Sequence, residues 1–383
     1  MSTRARDIFI VANNIEELGG LQRWAHQMAG LFAASGHAVH LIGVTHGPTR
    51  HDYGQDAPYA RSVLHEQHPA SPWEPHYPWQ WLDVRAWQRE RRRRQEATAA
   101  AGELSRLFAS AAPGGIVIVP QVWAMRWVSL ADLHGMPVIG MSHESWSASA
   151  ATWRRRGVRE LFPGVARLLL LTQEDADAWA RDGLSNVGVM PNPLPLVPSA
   201  PSPLQDEVVL SLGRFSYEKG YDLLLEAWAV VAQAFPTWRL RLVGSGPLLP
   251  DLVDQARLLG VSESVDFPGP TSDVEQAYMG ASAFALTSRA EGFPMTLLEA
   301  AACGLPSVSF DCAPGVREIV EDGETGILVR PGNTERFAAE LSALLLDPGL
   351  RRKLGERARE RSARFAPESV LKQWQQVFRL VYR

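Results

Sequence analysis

The sequence predicts an α/β protein made of two doubly wound domains, each with a parallel sheet covered by helices. Short apolar segments alternate with segments of helical periodicity, the alternation stops at a proline-rich stretch after residue 190, and it then begins again. The length of 383 residues also favours two domains, because a single hydrophobic core rarely serves more than about 300 residues.

In the first half of the chain, apolar segments predict five strands, at residues 7–12, 38–44, 116–120, 138–141 and 168–172. Helical periodicity separates most of them; between the first two strands, for example, apolar residues recur from Leu21 to Phe32. Residues 48–82 fit no predicted element and are rich in proline, histidine and aromatic side chains. A structureless stretch of this length is usually functional or disordered.

In the second half, six strands are predicted at residues 208–212, 239–243, 264–267, 283–286, 307–310 and 326–329. Helices are predicted at residues 220–234, 248–259, 294–302 and from residue 334 onward. Between the halves, residues 191–203 contain six prolines and predict a stiff, extended linker.

We therefore predict an N-terminal domain (1–190), a linker (191–206), a C-terminal domain (207–365) and a last helix (366–383) that crosses back to the N-terminal domain. In open α/β sheets, ligands bind outside the carboxyl ends of the strands. We expect the binding site in a cleft where the strand ends of the two domains meet.

The composition excludes several classes of protein. Hydrophobic residues make up 46% of the chain and charged residues 21%, which is typical of globular proteins. The apolar runs are far shorter than the roughly 20 residues of a membrane span, and the first is too short for an export signal. Cys303 and Cys312 form neither a disulfide framework nor a zinc motif, and a net charge of −4 argues against nucleic-acid binding. We expect a cytoplasmic protein.

Two carboxylates, Glu291 and Glu299, flank a predicted helix start at Pro294. Unpaired N–H groups and the positive end of the helix dipole make such a start suitable for a phosphate group. The carboxylates would repel that phosphate, so we expect them to accept hydrogen bonds from hydroxyl groups on either side of it. The alternative is that Glu291 compensates the helix dipole and Glu299 is a surface acid.

Two cations, Arg214 and Lys219, follow the predicted strand 208–212 between Gly213 and Gly220. Fixed cations at the carboxyl end of a strand suit a diphosphate and can stabilise the charge on a departing diphosphate without a metal. The alternative is that Lys219 is a solvated residue at a helix start, although a cation there opposes the dipole.

Taken together, the Glu291-x7-Glu299 spacing with Gly-Phe-Pro inside it and the Gly213-Arg-x4-Lys219-Gly motif resemble the retaining glycosyltransferases of the GT-B fold, family four. The resemblance extends to enzymes that act on bacterial surface glycans. Further matching pieces occur in the same order along the chain, at residues 19–20, 36–39, 190–193, 242–247, 267–269 and 322–329. A GT-B fold implies two Rossmann-like domains that face each other across a cleft.

The resemblance implies transfer of a hexose or N-acetylhexosamine from a nucleotide sugar, UDP-linked, to a hydroxyl of a glycan, glycolipid or other acceptor. It implies no metal and no cofactor besides the nucleotide-sugar co-substrate. Arg214 and Lys219 would bind the diphosphate, Glu299 the ribose hydroxyls and Glu291 a hydroxyl of the transferred sugar. His143 would contact that sugar at its 6-hydroxyl.

The resemblance also assigns residues around the donor. Gly19 and Gly20 would let the backbone approach the phosphate, and the nucleobase would lie near Gly269 and Pro270. The sugar and phosphates would be lined by Gly292, Phe293, Pro294, Met295, Thr296 and Leu297. Trp146 and Asp311 are further candidates for donor or acceptor contact. From chemistry alone, His143 can equally be a structural histidine and Asp311 a turn-capping residue.

The arginine-rich run from Arg85 to Arg94 is either a solvated helix face or a docking site for an anionic acceptor or the inner membrane surface. Nearby tryptophans suit a membrane interface, namely Trp79, Trp81 and Trp87. A second cluster joins Trp153 to the arginines at 154–156.

Two other functions remain open. An NAD-dependent oxidoreductase would use Gly244-Ser-Gly246, but Leu249 holds the place of the third glycine in the dinucleotide fingerprint. A non-catalytic sugar-nucleotide or glycan-binding protein would not need the intact charged motifs.

Overall fold

The computed structural model describes residues 5–47, 49–54, 56–69, 83–150 and 152–382. The chain divides into two compact units: unit 1 comprises residues 1–190 and 371–383, and unit 2 comprises residues 191–370. Both units are α/β, which confirms the predicted fold class. The aromatic tract of the prediction falls largely outside the described residues, including Trp73, His76, Tyr77, Trp79 and Trp81.

Unit 1 is built on seven strands: β1 (Asp7–Ala12), β2 (Ala38–Thr45), β3 (Ala60–His65), β4 (Ile116–Val119), β5 (Val138–Ser142), β6 (Arg167–Leu170) and β7 (Val187–Val189). They form one parallel sheet in the order β3-β2-β1-β4-β5-β6-β7. Its helices are α1 (Gly20–Ala34), α2 (Val84–Ala109), α3 (Val122–Val128), α4 (Trp146–Ala150), α5 (Trp153–Leu161) and α6 (Gln173–Arg181).

Unit 2 is built on six strands: β8 (Val208–Leu212), β9 (Arg239–Val243), β10 (Val265–Gly269), β11 (Ala283–Leu286), β12 (Ser307–Phe310) and β13 (Ile327–Val329). They form a second parallel sheet in the order β10-β9-β8-β11-β12-β13. Its helices are α7 (Tyr221–Ala234), α8 (Leu249–Leu258), α9 (Val274–Met279), α10 (Met295–Ala302), α11 (Pro314–Ile319), α12 (Thr334–Leu346) and α13 (Pro348–Ser362). The last helix, α14 (Pro367–Leu380), begins in unit 2 and ends in unit 1.

Each unit has its own core because its central strands are buried on both faces. In unit 1, Phe32 of α1 packs against Trp374 and Phe378 of α14, with ring centroids 5.5 Å apart in both pairs. In unit 2, Trp228 of α7 and Phe337 of α12 are fully buried in one hydrophobic cluster. Among the described residues, no helix has both the length and the apolar character needed to cross a membrane.

Two strands of unit 1 were not predicted. β3 lies inside the stretch 48–82 that was predicted to fit no element, so that prediction is wrong for residues 60–65. Both β3 and β7 are edge strands with only partly buried or exposed side chains, and β7 has three residues. β3 mixes polar and apolar residues, and β7 is too short to show a period, so hydrophobic periodicity does not indicate either strand.

The proline-rich segment 191–203 forms neither helix nor strand. It packs on unit 2: the backbone N–H of Leu194 donates to Phe365 O at 2.7 Å, and that of Ser202 donates to Cys303 O at 2.7 Å. The Ser202 side chain is buried and donates to Ala281 O at 2.8 Å. The segment is therefore extended along the surface of unit 2.

Candidate functional site

The carboxyl ends of β8 and β11 mark the point in unit 2 where the strand order reverses. β8 lies between β9 and β11, so the chain leaves it to one side for β9 and later returns on the other side. A crevice forms at such a point, and it is the usual ligand site of open α/β sheets. Two loops begin here, loop A (residues 213–220) after β8 and loop B (residues 287–294) after β11.

Loop A presents Arg214 and Lys219 on either side of a buried anchor. Arg214 is exposed, whereas Phe215 is fully buried in the unit 2 core. A short 3-10 turn, Tyr217–Lys219, ends at Gly220, whose φ is +63°. A Cβ at Gly220 would lie 2.1 Å from the carbonyl oxygen of Thr287, so only glycine allows loop A to approach loop B this closely.

Loop B places Glu291 directly beside Lys219. The Lys219 Nζ donates to Glu291 Oε1 at 2.7 Å, and Ser288 Oγ donates to the same oxygen at 2.7 Å. The Glu291 side chain is 8% exposed and that of Lys219 is 29% exposed, so the ion pair is largely shielded from water. Burial, together with the nearby Glu291 carboxylate, raises the pKa of Cys312 to about 12, which keeps that thiol protonated.

Glu299 lies in the second turn of α10 and is fully buried. The Tyr278 hydroxyl, also fully buried, donates to Glu299 Oε2 at 2.7 Å. A buried carboxylate needs such partners, because removing it from water without them is costly. The alternative prediction that Glu299 is a surface acid is therefore wrong.

The start of α10 differs by one residue from the prediction. Pro294 precedes the helix as its N-cap, and the first helical residue is Met295. The backbone N–H of Leu297 donates to Pro294 O at 3.1 Å, so it is already used within the helix. Of the N–H groups at this helix start, those of Met295 and Thr296 remain candidates for binding a phosphate.

The other predicted donor residues of unit 2 lie at strand ends. Gly269 is the last residue of β10, and Pro270 follows it on the surface. Asp311 directly follows β12, and its Oδ1 accepts from Arg317 Nη1 at 2.5 Å.

In unit 1, Gly19 and Gly20 stand where α1 begins. Gly19 is the N-cap and Gly20 the first helical residue. A Cβ at Gly20 would meet no atom within 4 Å, whereas one at Gly19 would lie 2.4 Å from Gln22 Oε1. The end of the Gln22 side chain can move away from a Cβ at Gly19, so the surrounding space requires glycine at neither position, and Gly20 leaves open space at the surface.

His143 directly follows β5, at the carboxyl edge of the unit 1 sheet. Its ring lies edge-on to Trp24 with centroids 4.6 Å apart, and its Nε2 atom is buried without a hydrogen-bond partner among the described residues. Burial lowers the pKa of His143 to about 3, so the imidazole is neutral at physiological pH. A neutral, unpartnered ring nitrogen suits a hydroxyl group better than a phosphate.

Trp146 begins α4, and its backbone N–H donates to Asp175 Oδ1 at 2.7 Å. The Arg155 guanidinium lies 6.0 Å from the Trp146 ring centroid. The ring is partly buried, so it offers limited surface for stacking on a sugar.

Sequence reasoning missed four residues near Glu291 and Glu299. They are Ser288, Tyr278, and Arg289 with its partner Asp222. Ser288 and Arg289 are polar residues that come two and three positions after the buried end of β11, a position that could have identified them. Asp222 and Tyr278 carry no comparable signal, because their roles depend on partners that are far away in sequence.

Gly244 and Gly246, the glycines that an NAD-dependent oxidoreductase would use, have a structural explanation. A Cβ at Gly246 would lie 2.3 Å from the carbonyl oxygen of Phe215 in loop A. The neighbouring Ser245 O accepts the Phe215 backbone N–H at 2.9 Å. Residues 244–246 thus support the loop that carries Arg214, and no dinucleotide is needed to account for them.

Three of the six arginines in the basic run on α2 are paired with acids of the same helix. Arg93 and Arg94 donate to Glu90 at 2.7 and 2.8 Å, and Arg92 donates to Glu96 at 2.9 Å. In the second cluster, residues 154–156 each have an acidic partner, and Trp153 is 52% exposed between the Arg126 and Arg154 guanidinium groups.

Comparison with known proteins identifies relatives of both units. The family described as "Glycosyl transferases group 1" matches residues 197–361, within unit 2. The chain is similar to the amylovoran biosynthesis glycosyltransferase AmsD of Erwinia amylovora, with 31% identity over 246 residues, 62% of this chain and 68% of AmsD. It is 33% identical over 210 residues to an uncharacterized glycosyltransferase of Haemophilus influenzae, 54% of this chain but only 60% of that protein.

Solved structures match nearly the whole chain. A mutant of S. aureus TarM, crystallised with fondaparinux, alpha-GlcNAc-glycerol and UDP, has a TM-score of 0.77 and 14% identity, and the match covers 97% of this chain and 99% of the TarM chain. HepE of Anabaena in complex with UDP-glucose has a TM-score of 0.74 and 18% identity, covering 98% and 99%. At these identities the likeness concerns the fold, which is the α/β GT-B fold. With AmsD covered over more than two thirds of its length, the chain belongs to the group 1 glycosyltransferases.

Proposed function

We propose that the chain is a retaining, family-four glycosyltransferase that moves a hexose or N-acetylhexosamine from a UDP-sugar to a hydroxyl of a glycan or glycolipid. The observation that carries this proposal is the Lys219–Glu291 pair, with Arg214 nearby in sequence, at the switch point of unit 2. At that point the cation can bind the anionic diphosphate of a nucleotide sugar, and the carboxylate can accept a hydrogen bond from a hydroxyl of the sugar.

The chemistry follows from what each charged group would do when the donor binds. The bond between the anomeric carbon of the sugar and the diphosphate breaks, and negative charge develops on the departing diphosphate. The acceptor hydroxyl oxygen bonds to that carbon, and its proton passes to the departing diphosphate. Arg214 and Lys219 stabilise that charge, together with the N–H groups of Met295 and Thr296 at the start of α10. Because these fixed cations supply the charge stabilisation, the proposal requires no metal ion.

Lys219 must exchange its partner in this scheme. Its Nζ donates to Glu291 Oε1, and the donor diphosphate would replace that carboxylate as acceptor. The Glu291 carboxylate would then accept a hydrogen bond from a hydroxyl of the transferred sugar. Both groups therefore remain paired before and after the donor binds, which avoids an uncompensated buried charge.

The remaining assignments concern neutral groups of the donor and acceptor. Glu299 is assigned to the ribose hydroxyls, and the backbone at Gly269 and Pro270 to the nucleobase. In unit 1, the neutral His143 imidazole suits a sugar hydroxyl, and the open space at Gly20 suits close approach of a phosphate.

The choice of UDP and of a surface glycan is supported by the similar proteins. TarM and HepE were solved with UDP and with UDP-glucose, and AmsD takes its name from amylovoran biosynthesis. For the location we propose the cytoplasm, with peripheral contact at the inner membrane face. The exposed Trp87 and Trp153, each close to arginines, support that contact.

The test is release of nucleoside diphosphate by the purified full chain from a panel of UDP-, GDP- and ADP-sugars without acceptor, with thermal melting in parallel and NAD as a control ligand. Slow release of UDP from one sugar, with stabilisation by the same donor, is the expected result. Stabilisation by NAD and by no sugar nucleotide would instead favour an oxidoreductase. Absence of both release and stabilisation would favour a protein without this activity.

Retention is tested separately once an acceptor is found. The anomeric configuration of the product, read by proton NMR immediately after transfer, should equal that of the donor. An inverted product would contradict the family-four assignment and leave the sugar-transfer proposal intact.

A further inference from the structure

Arg289 holds the turn that carries Lys219, although it is not among the residues assigned to the donor. Its guanidinium donates to both carboxylate oxygens of Asp222, at 2.8 and 2.5 Å, and Nη1 also donates to Tyr217 O at 2.9 Å. The Arg289 backbone N–H donates to Glu218 O at 2.8 Å. One residue of loop B therefore bonds to the chain on both sides of Lys219.

The same side chain also covers an aromatic ring. The guanidinium lies 4.3 Å from the ring centroid of Tyr217, a residue that is 71% exposed. Its hydrogen bonds lower the pKa of Asp222, which therefore stays ionised at neutral pH. The bidentate pair, the carbonyl contact and the ring contact all use the planar guanidinium, a geometry that lysine does not provide.

Two further contacts join the loops at Gly220. Thr287 Oγ1 donates to Gly220 O at 2.9 Å, and the Thr287 carbonyl occupies the space where a Gly220 side chain would lie. Loop B therefore bonds to the chain both before Lys219, at Tyr217, and after it, at Gly220. Among the described residues, the only ion pair of Lys219 is with Glu291, which also belongs to loop B.

We infer that Arg289 and Asp222 are a positioning pair, which fixes the Lys219 turn so that its ammonium group is held where the donor diphosphate binds. This rests on the proposed function. A lysine side chain is long and flexible, so its electrostatic effect on a diphosphate depends on how its backbone is held. Arg289 acts through Lys219, and no contact of Arg289 with the donor is required.

The experiment is a double-mutant cycle on nucleotide binding by the full chain. UDP affinity is measured by calorimetry for the wild type, Arg289→Ala, Lys219→Ala and the double variant, with thermal melting of each. Arg289→Ala should weaken UDP binding about tenfold in the wild-type background. In the Lys219→Ala background the same substitution should change affinity by less than about twofold, because the group that Arg289 positions is already absent.

The control is Arg257→Ala. Arg257 forms an exposed pair with Asp254 on α8 of the same unit, and its loss should leave UDP affinity unchanged. Arg289→Lys keeps the charge but loses the planar guanidinium that binds both carboxylate oxygens, so it should give an intermediate loss of UDP affinity. If the alanine variant does not fold, Arg289→Lys replaces it in the cycle.

Equal losses in both backgrounds would show that Arg289 acts independently of Lys219 and would overturn the inference, as would unchanged affinity in Arg289→Ala. If the wild type binds UDP and the effects of the two substitutions on UDP affinity are additive, only the positioning role is contradicted. A wild type that binds none of UDP, GDP and ADP contradicts the proposed function itself, and the inference with it.

Discussion

The two units share one strand order around their first strand, yet they present different chemistry at the carboxyl ends of their strands. In unit 2, loops A and B carry Lys219 and Glu291, which are charged and paired with each other. In unit 1, the corresponding edge carries Gly19, Gly20 and the neutral His143. The fold places loops at equivalent positions in both sheets, so the difference in chemistry comes from the residues that follow the strands.

Composition extends this contrast beyond the strand ends. All ten histidines and ten of the thirteen tryptophans lie before residue 190, whereas the three lysines of the chain all follow it. Burial lowers the pKa of several histidines in unit 1, namely His26, His37, His40, His65 and His143. Unit 1 thus holds neutral imidazoles that can make uncharged contacts, although residues 1–190 and 191–383 each carry 19 Lys and Arg residues.

The largest expected effect comes from removing the charge in unit 2. Lys219→Ala should lower turnover of the nucleotide sugar at least ~100-fold, as loss of a preorganised electrostatic contact does. Glu299→Ala should have an effect of similar size, because it removes the carboxylate assigned to the ribose. The measurement is steady-state kinetics of nucleoside-diphosphate release with melting curves to confirm folding.

Lys353→Ala is the matched control for Lys219→Ala. Lys353 is an exposed lysine on α13 of the same unit, and its loss should leave turnover unchanged. Rates near that of the wild type in both Lys219→Ala and Glu299→Ala would contradict the assignment of charge stabilisation to unit 2.

The second prediction concerns the stability of unit 1 in acid. A buried histidine with a lowered pKa is neutral in the folded state, so below its ordinary pKa of about 6.5 the unfolded chain binds the additional proton. Stability is therefore fully present above pH 6.5 and is lost as pH falls. With a folded pKa of about 3 for His143, this group alone costs about 2 kcal/mol at pH 5.

Melting curves of the full chain at pH 7.5 and pH 5.0, followed by tryptophan fluorescence, measure this loss. His143→Gln should reduce the difference in unfolding free energy between the two pH values by about 2 kcal/mol. Replacing the exposed His134, whose side chain is 43% accessible, by Gln should not change it. An equal pH dependence in wild type and His143→Gln would show that His143 is not buried as described.

The sequence predicted the central strands well because both faces of each are buried. β8, β9, β11 and β12 have the predicted bounds, because each is mostly buried: β11 and β12 completely, β8 in four and β9 in three of its five residues. The edge strands β3 and β7 were missed because β3 mixes polar and apolar residues and β7 has only three residues. Hydrophobic periodicity fails where a strand is very short or mixes polar and apolar residues, whereas the edge strands β10 and β13 were predicted.

For the candidate site, the sequence predicted the charged residues but not their pairing. Lys219 and Glu291 are 72 residues apart, and they meet because β8 and β11 are neighbours in the sheet. The burial of Glu299 depends in the same way on Tyr278, 21 residues earlier. Patterns in a single sequence identify residues at strand ends, whereas predicting which loops contact each other requires the strand order.

The smallest expected effect concerns the arginines of α2, where unit 1 is basic. If this face meets an anionic membrane, replacing the four arginines at 91–94 with alanine should weaken binding to vesicles that contain phosphatidylglycerol. Each arginine near such a surface contributes about 1 kcal/mol when it is unpaired. Three of the four donate to Glu90 or Glu96, so we expect a loss of only about tenfold, rather than the far larger loss expected for four free charges.

Co-sedimentation with these vesicles, and with phosphatidylcholine alone, at low salt measures the effect. The matched control replaces four basic residues on α13 of unit 2, namely Arg352, Lys353, Arg357 and Arg359, so that net charge falls equally in both variants. Loss of binding in the α2 variant alone would assign the membrane contact to unit 1, and equal loss in both would indicate a general charge effect. Unchanged binding of the α2 variant at low salt would contradict the contact, because paired arginines on a solvated helix would then account for the whole run.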